Sequence, residues 1–325
     1  MSRRGEIRLA LASLAILTGL VFTPTARAET VTIGLVGTAS ATHWPIYIGL
    51  KQGFYAAKGI DLDLVFTPSS AALLQQLSAG SLPMALSAGI VDPIYAIDKG
   101  AGIAIVRLEM QSPPYALIAK STISSIAELK GKTLMVDGPK GITKIYVERM
   151  LAANGVKPGE FDTIFAGATA ARFSALQAGA IDATVLLPPF NFYAETAGFK
   201  TVGLTIDYTP ELPFTAAVVN RNWAASHRSA LDKMLAVHNE SMAWFLSGAH
   251  RAESIAAMVE ASKQSADDVG KAYDFLTKRN FFEASGKVSK TRMNAMLGAL
   301  RELGDISSTI DVDRLLLPGV TQVTD

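Results

Sequence analysis

The chain contains no cysteine. That excludes disulfides, a thiol nucleophile, thiolate metal sites and a lipid-anchoring cysteine behind a secretion signal. Long apolar runs are also missing: past residue 22 nothing approaches the roughly 20 residues that a membrane-spanning helix needs. Charge of one sign is not in excess, since 30 basic side chains face 29 acidic ones among 325 residues. No basic stripe of the kind nucleic acid demands is visible. Enzyme signatures are scarce: GxSxG, GxGxxG, HExxH and a phosphate loop ending in Gly-Lys-Ser/Thr are all absent. Of the four histidines, His227, His238 and His250 fall in a helical tail, where packing is commoner than metal binding; only His43 lies in a loop. No spacing of Ser, His and Asp makes a triad credible. The expectation is no cofactor and no metal.

What is present begins with a leader. Arg3 and Arg4 precede a 14-residue apolar core, Leu9 to Phe22, and Ala26-Arg27-Ala28 is a small-x-small cleavage site. Residues 1–28 therefore read as a secretory signal. Glu6 sits where a twin-arginine signal favours an apolar residue, so ordinary secretion is the better reading. Removing this segment leaves 26 basic and 28 acidic residues. Without a lipid-anchoring cysteine, the mature chain is expected free in a bacterial periplasm.

From Glu29 onward, strand-like and helix-like stretches alternate every 20 to 25 residues. Val31–Val36, Ile60–Phe66, Met84–Ser87 and Ile103–Leu108 read as strands, with helices over Pro45–Lys58, Ala71–Ala79 and Ile94–Lys99. This order implies a parallel sheet with helices on its faces. After Pro113-Pro114 the pattern restarts, with strands at Tyr115–Lys120, Thr133–Val136, Phe161–Phe165, Ala183–Leu187 and Thr201–Ile206. Letters repeat too. Leu77-Ser78-Ala79-Gly80 resembles Leu176-Gln177-Ala178-Gly179 at an offset of 99, and Ala56-Ala57-Lys58-Gly59-Ile60 resembles Ala152-Ala153-Asn154-Gly155-Val156 at 96. Two lobes of one design follow. Past Asn220 the pattern is helical and lacks the strands for a third sheet, so this tail is expected to pack on the first lobe. The expected division is residues 29–112 plus 217–325 in one lobe and 113–216 in the other, hinged at two proline-rich joints, 112–115 and 210–214.

Parallel sheets bind ligands beyond the carboxyl ends of their strands. The loops there are Gly37–Pro45, Thr67–Ser70, Ser87–Asp92, Asp137–Thr143 and Leu187–Phe190. Ser69, Ser70, Ser87 and Thr143 carry hydroxyls at or near helix starts, where unpaired N–H groups and a partial positive charge attract polar or anionic groups. Lys140 is the one cation in these loops. Trp44 and Phe190, with Phe192 as a further candidate, would clamp an apolar or aromatic body. Such a set suits a small organic anion, and closure of the hinge would desolvate it and strengthen the contacts.

Several stretches together resemble one family. They are Val31-Thr32-Ile33-Gly34, Trp44-Pro45-Ile46-Tyr47-Ile48-Gly49-Leu50-Lys51-Gln52-Gly53-Phe54-Tyr55, Gly59-Ile60-Asp61-Leu62, Ile126-Ala127-Glu128-Leu129-Lys130-Gly131-Lys132, Leu176–Ala183 and Ala217-Val218-Val219-Asn220. The chain is similar to the NMT1/THI5-like, or sulfonate–nitrate–taurine, branch of ABC-transporter substrate-binding proteins. The resemblance implies a two-lobed type II periplasmic-binding-protein fold: two mixed sheets with helices on both faces and a hinge of two crossovers. It implies delivery of a small molecule to a membrane permease driven by an ATPase, by a monomer without enzymatic activity. The candidate ligand-binding positions are His43, Trp44, Pro45, Ser69, Ser70, Ser87, Gly138, Lys140, Gly141, Thr143, Pro188 and Phe190. Two departures stand out. Relatives often carry Glu-Pro where this chain has Pro188-Pro189, which removes a carboxylate that would grip a cation. The cysteine-rich motif of pyrimidine-synthesising relatives is absent. Two other readings of the residues are a secreted enzyme using His43 with Asp92 or Asp137, and a ligand sensor for a membrane signalling protein.

Overall fold

A computed structural model describes residues 28–38 and 40–325. Apart from Ala28, the secretion signal expected from the sequence lies outside the described residues. Ten strands build two large sheets: β1 Glu29–Val36, β2 Ile60–Thr67, β3 Met84–Gly89, β4 Ile103–Met110, β5 Ala116–Ala119, β6 Thr133–Val136, β7 Asp162–Phe165, β8 Ala183–Leu186, β9 Lys200–Leu204 and β10 Thr215–Asn220. The first sheet has the order β2-β1-β3-β10-β4 and the second β7-β6-β8-β5-β9. In the first, β1 runs parallel to β2 and β3, while β10 is antiparallel to β3 and β4. In the second, β6 runs parallel to β7 and β8, while β5 is antiparallel to β8 and β9. The two halves thus share one topology, and each takes its antiparallel strand from a chain arriving from the other half.

Residue chemistry explains the strand positions. β3 and β10 lie inside the first sheet and are buried along their whole length, as strands covered on both faces require; β4, at the end of the order, is buried too, beneath tail residues that bridge to it at Leu316 and Phe282. β2 lies at an edge and alternates. Its exposed Asp61 and Asp63 accept hydrogen bonds from the hydroxyls of Thr30 and Thr32 at 3.4 and 3.2 Å. Carboxylates on an edge strand discourage pairing with another chain. The helix expected over Pro45–Lys58 divides into Trp44–Lys51 and Phe54–Ala57. Gly53, at φ +73°, turns the chain between them in a conformation that glycine adopts without strain.

The chain passes between the sheets twice, at residues 111–115 and 205–214, and the two passages are tied together. Phe214 N–H donates to Met110 O at 2.9 Å, and Thr205 N–H donates to Tyr115 O at 3.0 Å. Arg292, on the tail helix Lys290–Glu302, donates to Gln111 O at 2.8 Å and to Pro210 O at 2.6 Å, holding both passages from one side chain. Most of the tail packs on the first half, where helices Arg228–Leu246 and Arg251–Ser262 cover helix Trp44–Lys51. Helix Ala266–Lys278 reaches the second half as well: Thr196 donates to Asp268 at 2.9 Å, and Phe192 meets Phe275 with ring centroids 5.9 Å apart.

Candidate functional site

The loops at the carboxyl ends of the parallel strands from both sheets face one another across a gap of about 680 Å³, part of it open to solvent. The first half contributes Val36, Gly37, Thr38, Ser40 and Thr42 after β1, Ser70 after β2, and Ser87, Gly89 and Asp92 around the end of β3. The second half contributes Asp137 after β6, Gly167 to Ala170 after β7, and Leu187 and Phe190 after β8. Tyr115, Phe214 and Thr215, at the two passages, close the back of the gap.

Of the candidate residues, Ser70, Ser87 and Phe190 line this cavity. Ser70 Oγ accepts Gly89 N–H at 2.9 Å, stitching two lining loops together. Ser69 caps helix Ser70–Ala79, accepting Ala72 N–H at 3.2 Å. Ser87 is held at φ +57°, with its hydroxyl 2.9 Å from Thr42 O and 3.2 Å from a carboxylate oxygen of Glu109. Thr143 lies one layer behind the lining. Its hydroxyl accepts Asp137 N–H at 2.8 Å and donates to Asp137 Oδ1 at 2.7 Å, fixing the direction of that carboxylate. Gly141 sits against the same carboxylate so closely that a Cβ would overlap it, and Gly138 accepts Gly141 N–H in the turn between them. Pro188 acts through its backbone: its carbonyl accepts Ala41 N–H at 3.0 Å, joining the halves at the cavity edge.

Five candidates belong elsewhere. Trp44 is fully buried in the core, packed on Phe245 and Tyr273, and its indole N–H donates to Ser254 O at 2.6 Å. The tail helices that bury it have no local sequence signal near residue 44. Pro45 is buried in the first turn of the same helix. His43 is buried beside Tyr47, with both ring nitrogens lacking a hydrogen-bond partner. Lys140 is not among the lining residues; it pairs with Asp305, which also accepts the Tyr95 hydroxyl. Phe192 likewise packs on the tail.

Two groups escaped the sequence reading. The first is Gly167-Ala168-Thr169. The repeat offset of 99 places it opposite Pro68-Ser69-Ser70, and the two loops meet: a Cβ on Gly167 would lie 2.6 Å from both Pro68 O and Ser69 Cβ. Arg172, fully buried, holds this loop, donating to Ala166 O at 3.1 Å, to Gly167 O, to Thr169 Oγ1 at 3.1 Å and to Val185 O at 3.1 Å. The second is the charged network behind Ser87. Glu109 Oε2 accepts His238 Nε2 at 2.9 Å, with Arg107 Nε 3.7 Å from Oε1. Arg107 and Glu109 share one face of an otherwise apolar strand, and that was the available signal.

Burial pushes the Asp92 carboxyl up to about 7, the Asp137 charge adds to this, and Ser70 opposes it. Asp137 is also raised by burial, against the Arg172 charge and the Thr143 hydrogen bonds. Burial lowers His43 from 6.5 to about 4, against the pull of Glu109. Between those values the unfolded chain binds a proton at His43 that the folded chain refuses, so stability falls as pH drops through that window. His43→Gln is expected to remove about 2–3 kcal/mol of that acid loss between pH 7 and 4.5, measured by urea unfolding of both proteins at the two pH values. Asp92 has the opposite sign, so the comparison with wild type isolates His43.

Two halves of one topology, two passages, and strand-end loops facing across a gap define the two-lobed periplasmic-binding-protein fold. The chain belongs to the family described as NMT1/THI5 like, which matches residues 40–252. It is similar to the formylaminopyrimidine-binding protein of Halalkalibacterium halodurans, 30% identical over 112 residues, 34% of each chain. It is also similar to the nitrate/nitrite binding protein NrtA of Synechococcus elongatus, 24% identical over 275 residues, 74% of this chain and 60% of that one. These matches span about a third and three-fifths of the curated relatives' lengths. Among solved structures, the alkanesulfonate-binding protein SsuA of Xanthomonas axonopodis pv. citri, bound to MOPS, superposes with a TM-score of 0.74 at 17% identity, over 90% of this chain and 99% of that one.

Proposed function

We propose that the mature chain is a periplasmic solute receptor. Residues 29–112 with 217–325 form one lobe and 113–216 the other, and they close on a small organic molecule that is handed unaltered to an ABC permease and its ATPase. The observation that carries this reading is the cavity itself, lined from both sheets by strand-end loops. The similarity to a formylaminopyrimidine-binding, a nitrate/nitrite-binding and an alkanesulfonate-binding protein supports it. Tyr115, Phe190 and Phe214 favour a ligand with a flat apolar body. The anion expected from the helix starts finds no cationic partner among the described lining residues. The enzyme reading pairs His43 with Asp92 or Asp137; both carboxylates line the cavity, while His43 is buried and is not among the lining residues.

Gly167→Val tests closure. The added side chain collides with Pro68 and Ser69 only when the lobes meet. Calorimetry against small aromatic amines, carboxylates, sulfonates and pyrimidines is expected to show saturable one-to-one binding by wild type. The variant should lose about 100-fold in affinity, about 2.7 kcal/mol, while its unfolding midpoint stays within about 2 °C. Turnover of any compound, or undiminished binding by the variant, contradicts the reading.

A further inference from the structure

We propose that Asp92 and Asp137 form a carboxylate clamp, one member from each lobe, that selects a flat ring bearing a cationic amine or amidine. The inference rests on the receptor reading and names the ligand class of the same cavity. Asp92 stands in the first turn of helix Val91–Asp98 and Asp137 at the end of β6, so the two carboxylates reach one cavity from opposite halves. Among the described residues, no Lys, Arg or His lines that cavity.

The nearest cations are engaged elsewhere. Lys140 is paired with Asp305. Arg172 spends its guanidinium on four oxygens of its own lobe and lies over the Tyr115 ring at 5.8 Å. The other titratable groups facing the pair are Tyr95, Tyr115 and Tyr146, all held neutral by burial. Asp305 adds negative charge beyond Tyr95.

Two carboxylates that line one half-buried cavity disfavour each other's charge, and a cation between them relieves this. Without ligand, burial and the Asp137 charge favour a proton on Asp92. A ligand cation takes its place, the carboxylic acid becomes a carboxylate, and the proton leaves to solvent. Tyr115, Phe190 and Phe214 supply surfaces for the ring; a cation against such faces gains further attraction.

Three probes of one shape and different charge decide the matter: benzamidinium, benzamide and benzenesulfonate, titrated by calorimetry at pH 7 in buffers of unequal ionisation heat. Benzamidinium is expected to bind at least about tenfold tighter than benzamide, with release of about half a proton, and benzenesulfonate not at all. Asp92→Asn should abolish the proton release and most of the preference. Without ligand, raising the pH from 5 to 8 should lower the wild-type melting temperature by about 5 °C more than that of Asp92→Asn. Tighter binding of benzenesulfonate, or equal pH slopes in the two proteins, overturns the inference. Failure of all three probes overturns the ligand class. The receptor reading falls separately, when the protein neither carries a solute nor binds one.

Discussion

Glu109→Ala is expected to destabilise the protein by about 3–5 kcal/mol, the range for stripping one partner from a buried ion pair. The Glu109 side chain is wholly inaccessible, and three donors converge on or beside it: His238 at 2.9 Å, Ser87 at 3.2 Å and Arg107 at 3.7 Å. Among the described residues, Arg107, itself buried, has as further hydrogen-bond partners the Asn239 side chain and Glu283 O, at 3.0 Å. Alanine would leave the Arg107 charge uncompensated and a cavity beside it. Urea unfolding at pH 7 measures the loss.

Burial pushes the Glu109 carboxyl up, yet the His238 and Arg107 charges and the hydrogen bonds from His238 and Ser87 outweigh it and hold the group below its ordinary 4.5. A depressed carboxylate stabilises fully above its unfolded pKa and loses that contribution as pH falls through its folded value. The gap between wild type and Glu109→Ala should therefore narrow only below about pH 4.5. Because Glu109 steadies Ser87 in its left-handed conformation at the cavity wall, the variant should also bind ligand more weakly wherever it remains folded.

Trp44→Ala is expected to cost about 3–5 kcal/mol, the usual penalty for emptying a buried aromatic site. Trp44 fills the junction between the first half and the tail, against Phe245 at 5.3 Å and Tyr273 at 5.9 Å between ring centroids. Trp44→Phe keeps most of that packing but loses the indole hydrogen bond to Ser254 O and some ring volume, and should cost about 1–3 kcal/mol. Denaturant unfolding gives both numbers. Ligand affinity of the phenylalanine variant should stay within about twofold of wild type, because the site is separate from the cavity. A large affinity loss would return Trp44 to the binding surface.

The two designs of helix and strand were legible because their signals are local. Gly80 and Gly179 end matching helices, and the 99-residue offset between them carries through to the equivalent positions of β3 and β8. Prolines at 113–114 and 210–213 marked the two passages for the same reason. Lining positions near a helix start, such as Ser70 and Ser87, were legible too, since strand ends of a parallel sheet converge there. What failed was the sorting of residues within a loop. Trp44 and Lys140 look ligand-facing until tail residues more than 150 positions away arrive, helices burying the one and Asp305, just past a helix end, pairing with the other. Gly167–Thr169 was missed because small residues carry no chemistry of their own; only the repeat pointed to them. Asp92 and Asp137 were noticed as possible catalysts, but that no Lys, Arg or His among the described residues lines the cavity with them is a three-dimensional fact.

The most direct measurement is mass spectrometry of small molecules released when the freshly purified, undialysed protein is unfolded. The receptor account predicts one intact organic compound, near one per chain, carrying a flat ring and a basic nitrogen, and its loss from protein prepared as Gly167→Val. A wild-type protein that releases nothing and binds nothing, or one that releases a chemically altered product, would contradict it.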